Sequence, residues 1–311
     1  MGQSLKKFGT EQQNLRSRGL DRKSTLGILH VLNREDARVA SAVRRELGNI
    51  ARAVEAIVKS LQGGGNLYYV GAGTSGRLAV LDAAECPPTF GVPQRRVRAV
   101  IAGGARALQR SVEGAEDSAA NGARDLRRAD ASKRDVVVGL SASGATAYVL
   151  GALGFARRIG AVTVGVTSNP GSPLARESDI AIALDTGSEA LTGSTRLKAG
   201  TAQKLVLNML STAAMVRLGR VYDNWMVHVA LANQKLRQRG ARILEEAAGV
   251  APRTAKHALR QSGYSLPAAL VMLKTGASAR DARRWLAKTG GNIRDALVKA
   301  REQRTKMKAR D

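Results

Sequence analysis

Leu67-Tyr68-Tyr69-Val70-Gly71-Ala72-Gly73-Thr74-Ser75-Gly76-Arg77 is the stretch from which the fold can be read. Its aromatic and β-branched start has the character of a buried strand. The glycines that follow let the backbone turn tightly and come close to a ligand, and Thr74 and Ser75 add hydroxyl donors. The run Leu78–Ala84 then reads as a helix, whose first free N–H groups point into the loop. Strand, glycine loop and helix start together make an anion seat, and phosphate is the anion that suits it best.

The spacing also satisfies G-x-G-x-x-G, so a dinucleotide site has to be weighed. Such a site needs an acidic residue about 20 residues on, at the end of the second strand. The next strand-like run, Val97–Ile101, ends in Ala102-Gly103-Gly104 and offers no carboxylate. The bland alternative is that the glycines only make a tight βα turn. A second copy of the device favours phosphate. After the strand Val136–Leu140 comes Ser141-Ala142-Ser143-Gly144-Ala145-Thr146, then a helical run from Tyr148 to Arg158. Serines before a helix are also ordinary N-caps, yet two such loops in one sheet point to a shared ligand.

Outward from these loops, strands alternate with helices. The strand candidates Leu67–Val70, Val97–Ile101, Val136–Leu140, Val162–Val166 and Ile180–Leu184 predict an α/β fold. Its core is a five-stranded parallel sheet with helices on both faces, and ligands sit beyond the carboxyl ends of its strands. Before the sheet, Val39, Val43, Leu47, Ile50, Val54, Ile57 and Leu61 recur at helical spacing and predict one long helix over Asn33–Leu61. After it, Ala202–Leu218 and Met226–Ala248 read as long helices. Leu266, Leu270, Leu273, Trp285, Leu286, Ile293 and Leu297 supply the core of a small all-helical domain. The expected divisions are an extension and long helix over 1–56, with residues 1–30 irregular, then a sheet domain over 57–220. A linking helix over 221–249, a helical domain over 250–303 and a basic tail over 304–311 follow.

The 311 residues allow one large core and a satellite, and aromatics at 3% leave that core to Ala, Val, Leu and Ile. Met1–Lys23 is polar and charged, and no apolar run approaches membrane-spanning length, so a cytoplasmic protein is expected. The single cysteine, Cys86, excludes an internal disulfide framework and has no neighbouring base to make it a nucleophile. With His30, His228 and His257 scattered, no zinc site is expected. The formal charge of +25 attracts polyanions, but no zinc-finger, RNA-recognition or basic-zipper pattern is present. Nucleic acid is therefore expected only as a non-specific partner of a basic surface.

Two carboxylates stand out. Glu85 precedes Cys86-Pro87-Pro88-Thr89, where the proline pair is expected to end the helix. Glu116 lies in Val112-Glu113-Gly114-Ala115-Glu116-Asp117-Ser118, just before a helical stretch. From composition alone each is a surface or capping carboxylate. A third polar segment, Leu191–Lys204, gathers hydroxyls and three cations before a helix, and reads either as a capped helix start or as a clamp on an anionic sugar.

Taken together, Gly71–Leu78, Ala84–Gly91, Ile101–Gly104, Val112–Ser118, Ser141–Thr146 and Thr192–Thr212 resemble the N-acetylmuramic acid 6-phosphate etherases of the sugar isomerase (SIS) fold group. Thr10-Glu11-Gln12 and Leu20–Leu26 match as well, and Gly290-Gly291-Asn292 more loosely. The resemblance implies a flavodoxin-like three-layer sandwich and cleavage of the D-lactyl ether of a muramic acid phosphate, without metal or organic cofactor. It implies that Glu85 is the proton donor and Glu116 the second active-site glutamate. Thr74, Ser75, Ser141, Ser143 and Thr146 are then the phosphate ligands, with Gly73 and Gly144 among the substrate-binding residues. Ser194, Arg196 and Lys198 close over the sugar or its lactyl carboxylate. It also implies a homodimer with the site at the interface. The departures are Ala145 and Ala147, where the family has arginine and proline, and His228, where it has aspartate. The competing expectations are a non-catalytic sugar-phosphate sensor, a sugar-responsive DNA-binding regulator and an aldose–ketose isomerase.

Overall fold

Each of the five apolar runs forms a strand, and neighbouring strands pair in parallel. A computed structural model describes residues 9–231 and 233–308. They fall into two units, one of residues 1–84 and 94–214 and the other of residues 85–93 and 215–311.

In the first unit three short 3-10 turns (Gly9–Glu11, Leu15–Ser17, Leu20–Arg22) lead into α1 (Thr25–Asp36), α2 (Val39–Arg45) and α3 (Leu47–Gln62). Then follow β1 (Leu67–Gly71), α4 (Gly73–Phe90), β2 (Val97–Ile101), α5 (Ala119–Arg128), β3 (Val136–Leu140), α6 (Ala147–Arg158), β4 (Val162–Thr167), α7 (Pro173–Glu177), β5 (Ile180–Ala183) and α8 (Lys198–Arg217). The last residues of α4 and α8 belong to the second unit. The sheet order is β2-β1-β3-β4-β5, the flavodoxin-like order, and it reverses direction between β1 and β3. Every residue of β1 and β3 is buried, as a parallel sheet covered on both faces requires. Tyr68, Val70 and Val137 pack under Leu126 of α5 and Tyr148, Val149 and Leu153 of α6. α3 lies against β1, β3 and β5, burying Ile50, Val54, Ile57 and Leu61.

Three expectations are corrected. The predicted helix over Asn33–Leu61 is three helices, α1, α2 and α3, with breaks at Ala37-Arg38 and at Glu46, where φ is −99° and ψ 4°. Each restart carries its own apolar stripe, and the i+3/i+4 count survives the break; Leu47, counted in the stripe, is 46% exposed. The Pro87-Pro88 pair lies inside α4, which ends two residues later at Phe90. Each proline removes only its own N–H, and the turn still closes, because Gly91 N–H donates to the Pro87 carbonyl at 2.9 Å. The helix expected from Met226 begins at Gln234 instead (α9, Gln234–Ala248), because the Asn233 side chain caps it by accepting from Leu236 N–H at 2.9 Å.

The second unit continues with α10 (Pro252–Gln261), α11 (Leu266–Thr275), α12 (Ala279–Lys288) and α13 (Ile293–Lys308). Leu259, Leu266, Leu270, Trp285, Leu286 and Ile293 are buried together, with Leu273 and Leu297 at the margin. The side chains of the expected basic tail, apart from Thr305, lie outside the described residues. Among the described residues no helix is long and apolar enough to cross a membrane.

Candidate active site

Gly71 of β1 pairs with Leu140 of β3, so the two hydroxyl loops leave adjacent strand ends about 4.8 Å apart. That is the point where the strand order reverses, the place where ligands bind in open α/β sheets. The helix expected from Leu78 begins at Gly73, so the first loop's polar residues form the opening turn of α4, with Ser75 buried, Thr74 half-buried and Gly73 exposed. Gly76 closes the turn, and a Cβ there would stand 2.5 Å from Cγ1 of Ile101 on β2.

The second loop folds on its own hydroxyls. Ser141 Oγ lies 2.8 Å from Thr146 Oγ1 and 3.2 Å from Ser143 Oγ, and it accepts from Gly144 N–H at 3.0 Å. Gly144 has φ of +69°, and a Cβ there would stand 2.1 Å from Ser172 Oγ and 2.6 Å from Thr167 Oγ1. No other residue fits. Thr146 occupies the N-cap of α6 without capping it through its side chain; its hydroxyl pairs with Ser141 Oγ instead. Three neutral hydroxyls gathered at a helix start are an arrangement that can receive a dianion.

Glu116 is held beside that seat, since its carbonyl accepts from Tyr148 N–H in the first turn of α6 at 2.9 Å. Glu116, which is exposed, and Gly73 line one cavity of about 150 Å³, together with Arg77, Ser111 and Glu113. Sequence reasoning missed Asn169, after β4. Its Nδ2 donates to the carbonyls of Ala142 and Ser143 and to Thr10 Oγ1, and its Oδ1 accepts from Gly9 N–H. This ties the Thr10-Glu11 segment to the second loop. The signal was present, because Thr167-Ser168-Asn169 is a third polar run at a strand's carboxyl end.

The third polar segment comes close to the first loop at Gly200, where an added Cβ would stand 3.4 Å from Thr74 Cγ2. Ser194 is half-buried and Arg196 exposed. Lys198 is fully buried. Its Nζ pairs with Glu35 at 2.6 Å, and Glu35 also receives Arg16 and Asn14. Arg16, then Lys198 and Asn14, hold the Glu35 carboxyl against the cost of burial, down to about 2. Glu189 caps α8 by accepting from Lys198 N–H at 3.0 Å and Ala199 N–H at 2.9 Å. Burial pushes its pKa up despite those bonds. The start of α8 is thus already satisfied by a carboxylate of its own chain.

Glu85 is exposed on α4, while Cys86 beside it is buried. In the second unit, His228 donates from Nε2 to the Gly291 carbonyl at 3.0 Å. Burial, and then the charge of Arg220, lower its pKa to about 4 against the weaker pull of that bond. It is a neutral structural ring. Below pH 6.5 the unfolded chain takes up a proton that the folded ring refuses until about pH 4. Stability should fall through that window by up to roughly 3 kcal/mol. The melting temperature of His228→Asn should lack this slope; parallel pH profiles for the two proteins would show that the ring is not the cause.

The order of the strands and the paired hydroxyl loops define a SIS-type protein. The SIS domain family matches residues 107–213, and the glucokinase regulatory protein N-terminal SIS domain family matches residues 49–157. Over 294 residues the chain is 52% identical to the N-acetylmuramic acid 6-phosphate etherases of Yersinia pestis (strain Pestoides F) and Yersinia pseudotuberculosis (serotype O:3, strain YPIII), covering 94% of this chain and all of each relative. Among solved structures, a phosphoheptose isomerase from Francisella tularensis aligns with a TM-score of 0.47 at 18% identity, over 63% of this chain and 98% of that one. The chain belongs to the N-acetylmuramic acid 6-phosphate etherase family.

Proposed function

We propose that the protein is a lyase that converts N-acetylmuramic acid 6-phosphate to N-acetylglucosamine 6-phosphate and D-lactate, in the recycling of cell-wall fragments and amino sugar catabolism; its relatives carry the name N-acetylmuramic acid 6-phosphate etherase. The observation that supports this most directly is the main-chain bond that holds Glu116 beside the Ser141–Ser143–Thr146 cluster. It fixes the main chain that carries Glu116 next to the loop that would seat a sugar phosphate, which supports a carboxyl group acting on that sugar.

The substrate supplies its own electron sink. In the open-chain form, the ether at C3 is β to the C1 aldehyde, so the C2 proton is acidic. A carboxylate removes that proton, the electron pair forms the C2–C3 double bond, and the C3–O bond breaks as lactate leaves with a proton. Water then adds at C3 of the unsaturated aldehyde and a proton returns to C2. Positioning and proton transfer are all that the protein must provide.

Glu85 is assigned proton transfer at C2 and at the departing ether oxygen, and Glu116 assists the water. Glu85 serves a partner subunit's site. Its exposed position on α4 leaves it available to a second copy of the chain. A homodimer in which each subunit lends its Glu85 to the other's hydroxyl loops satisfies both assignments.

The test is incubation with the muramic acid phosphate in heavy-oxygen water. Label at the C3 hydroxyl of the product, with D-lactate unlabelled, is the expected result. Label in lactate would refute elimination. Binding of the phosphosugar with no lactate release would favour the sensor reading, which the match to the glucokinase regulatory protein family keeps in view.

A further inference from the structure

We propose that Arg77 holds the lactyl carboxylate of the substrate and thereby selects sugar phosphates that carry a carboxylate ether. This rests on the reading above and extends it to the substrate's second anionic end.

Arg77 lies at the start of the second turn of α4, one turn on from Thr74, and is half-buried. Its Nε donates to the Ala107 carbonyl at 3.0 Å. That bond fixes the guanidinium plane and leaves the two terminal nitrogens for a planar, two-pronged partner. Among the described residues no carboxylate stands within ion-pair distance of it. Yet it lines the same cavity as Glu113 and Glu116, and it is the sole cation among the residues that do so.

A carboxylate entering a space bordered by two acidic side chains is repelled unless a fixed cation meets it. The other cations near the loops are already used or outside. Lys198 is buried against Glu35 and Arg196 is exposed, while position 145 of the second loop is an alanine and brings no charge. The phosphate needs no guanidinium, because hydroxyls and the helix start receive it. The substrate's two anions are thus sorted between two kinds of partner, neutral donors for one and Arg77 for the other. The arrangement also aligns the leaving group, since the carboxylate sits on the lactate that departs.

The experiment compares N-acetylmuramic acid 6-phosphate with N-acetylglucosamine 6-phosphate, which keeps the phosphate and acetamido group but lacks the lactyl arm. Binding of both to the full-length wild type, Arg77→Lys and Arg77→Gln is measured by calorimetry, alongside KM for turnover and inhibition by D-lactate. Arg77→Gln should weaken the lactyl compound by about 10- to 100-fold, the size of one lost charge-assisted pair. It should leave the other compound's affinity within about twofold and relieve D-lactate inhibition, with Arg77→Lys intermediate. An equal loss for both compounds would make Arg77 a phosphate or loop-shaping residue, and no loss for either would remove it from the site. The calorimetric comparison decides this even if the wild type releases no lactate, which would instead overturn the lyase reading.

Discussion

Glu85→Gln should release D-lactate about 10²- to 10⁴-fold more slowly than the wild type, the usual range for losing a general acid or base. Affinity for the phosphosugar should be nearly unchanged. Glu85 is exposed and heads no hydrogen bond that the fold depends on, so a loss of rate cannot be attributed to a loss of fold, and equal melting curves would document that. The amide keeps the shape of the side chain and removes only its capacity to exchange a proton at neutral pH. Undiminished turnover would take Glu85 out of the mechanism.

Mixing two inactive variants sharpens the same expectation. If each site joins the hydroxyl loops of one subunit to Glu85 of the other, Glu85→Gln and Ser141→Ala/Thr146→Val cripple every homodimer. In a mixed dimer one site collects both defects and the other collects neither. With random association, half the dimers are mixed, so about a quarter of the wild-type sites should be restored. A site built within one subunit restores nothing. Co-refolding or co-expression followed by a D-lactate assay separates the two cases, and the readout is recovery from near zero.

The sheet and its two hydroxyl loops were legible because both are local patterns. A parallel strand buried on both faces is a short apolar run, and each loop lies within ten residues of the strand that ends in it. Glu116 could be found only as a residue in a motif; the bond from Tyr148 N–H that places it beside the second loop joins segments 32 residues apart. The helix breaks were hidden for a different reason. The i+3/i+4 stripe restarts after Ala37-Arg38 and again after Glu46 with its phase close enough to pass for one helix. Asn169 was readable in part, from its place after a strand. Glu35 was not readable at all, since an acidic residue near the end of an amphipathic helix looks like solvent-facing charge, and its partner Lys198 lies 163 positions away. The same ignorance made Lys198 look like a clamp: density of polar residues in a segment does not say which of them face inward.

Glu35→Gln should lower the stability of the folded chain by about 3–5 kcal/mol, the cost of stripping the counter-ion from a buried charge. Lys198, 1% exposed at its side chain, would keep its charge with no carboxylate on its Nζ; Arg16, 47% exposed, would turn to water. Arg16→Gln should therefore cost about 1 kcal/mol or less. The double change Glu35→Leu/Lys198→Met removes both buried charges and should recover much of the loss, as replacing a buried pair by apolar groups often does. Urea denaturation at neutral pH measures all three, and a Glu35→Gln protein within about 1 kcal/mol of the wild type would show that water or Glu189 can replace the missing charge. The pH dependence has a defined sign. Because the Glu35 carboxyl is held down to about 2 from 4.5, its contribution is fully present above pH 4.5 and is lost as the pH falls toward 2. The double variant also decides what Lys198 is for. If it only anchors the start of α8, the folded double variant keeps its KM for the phosphosugar; a large rise in KM with stability restored would return Lys198 to the substrate's side of the site.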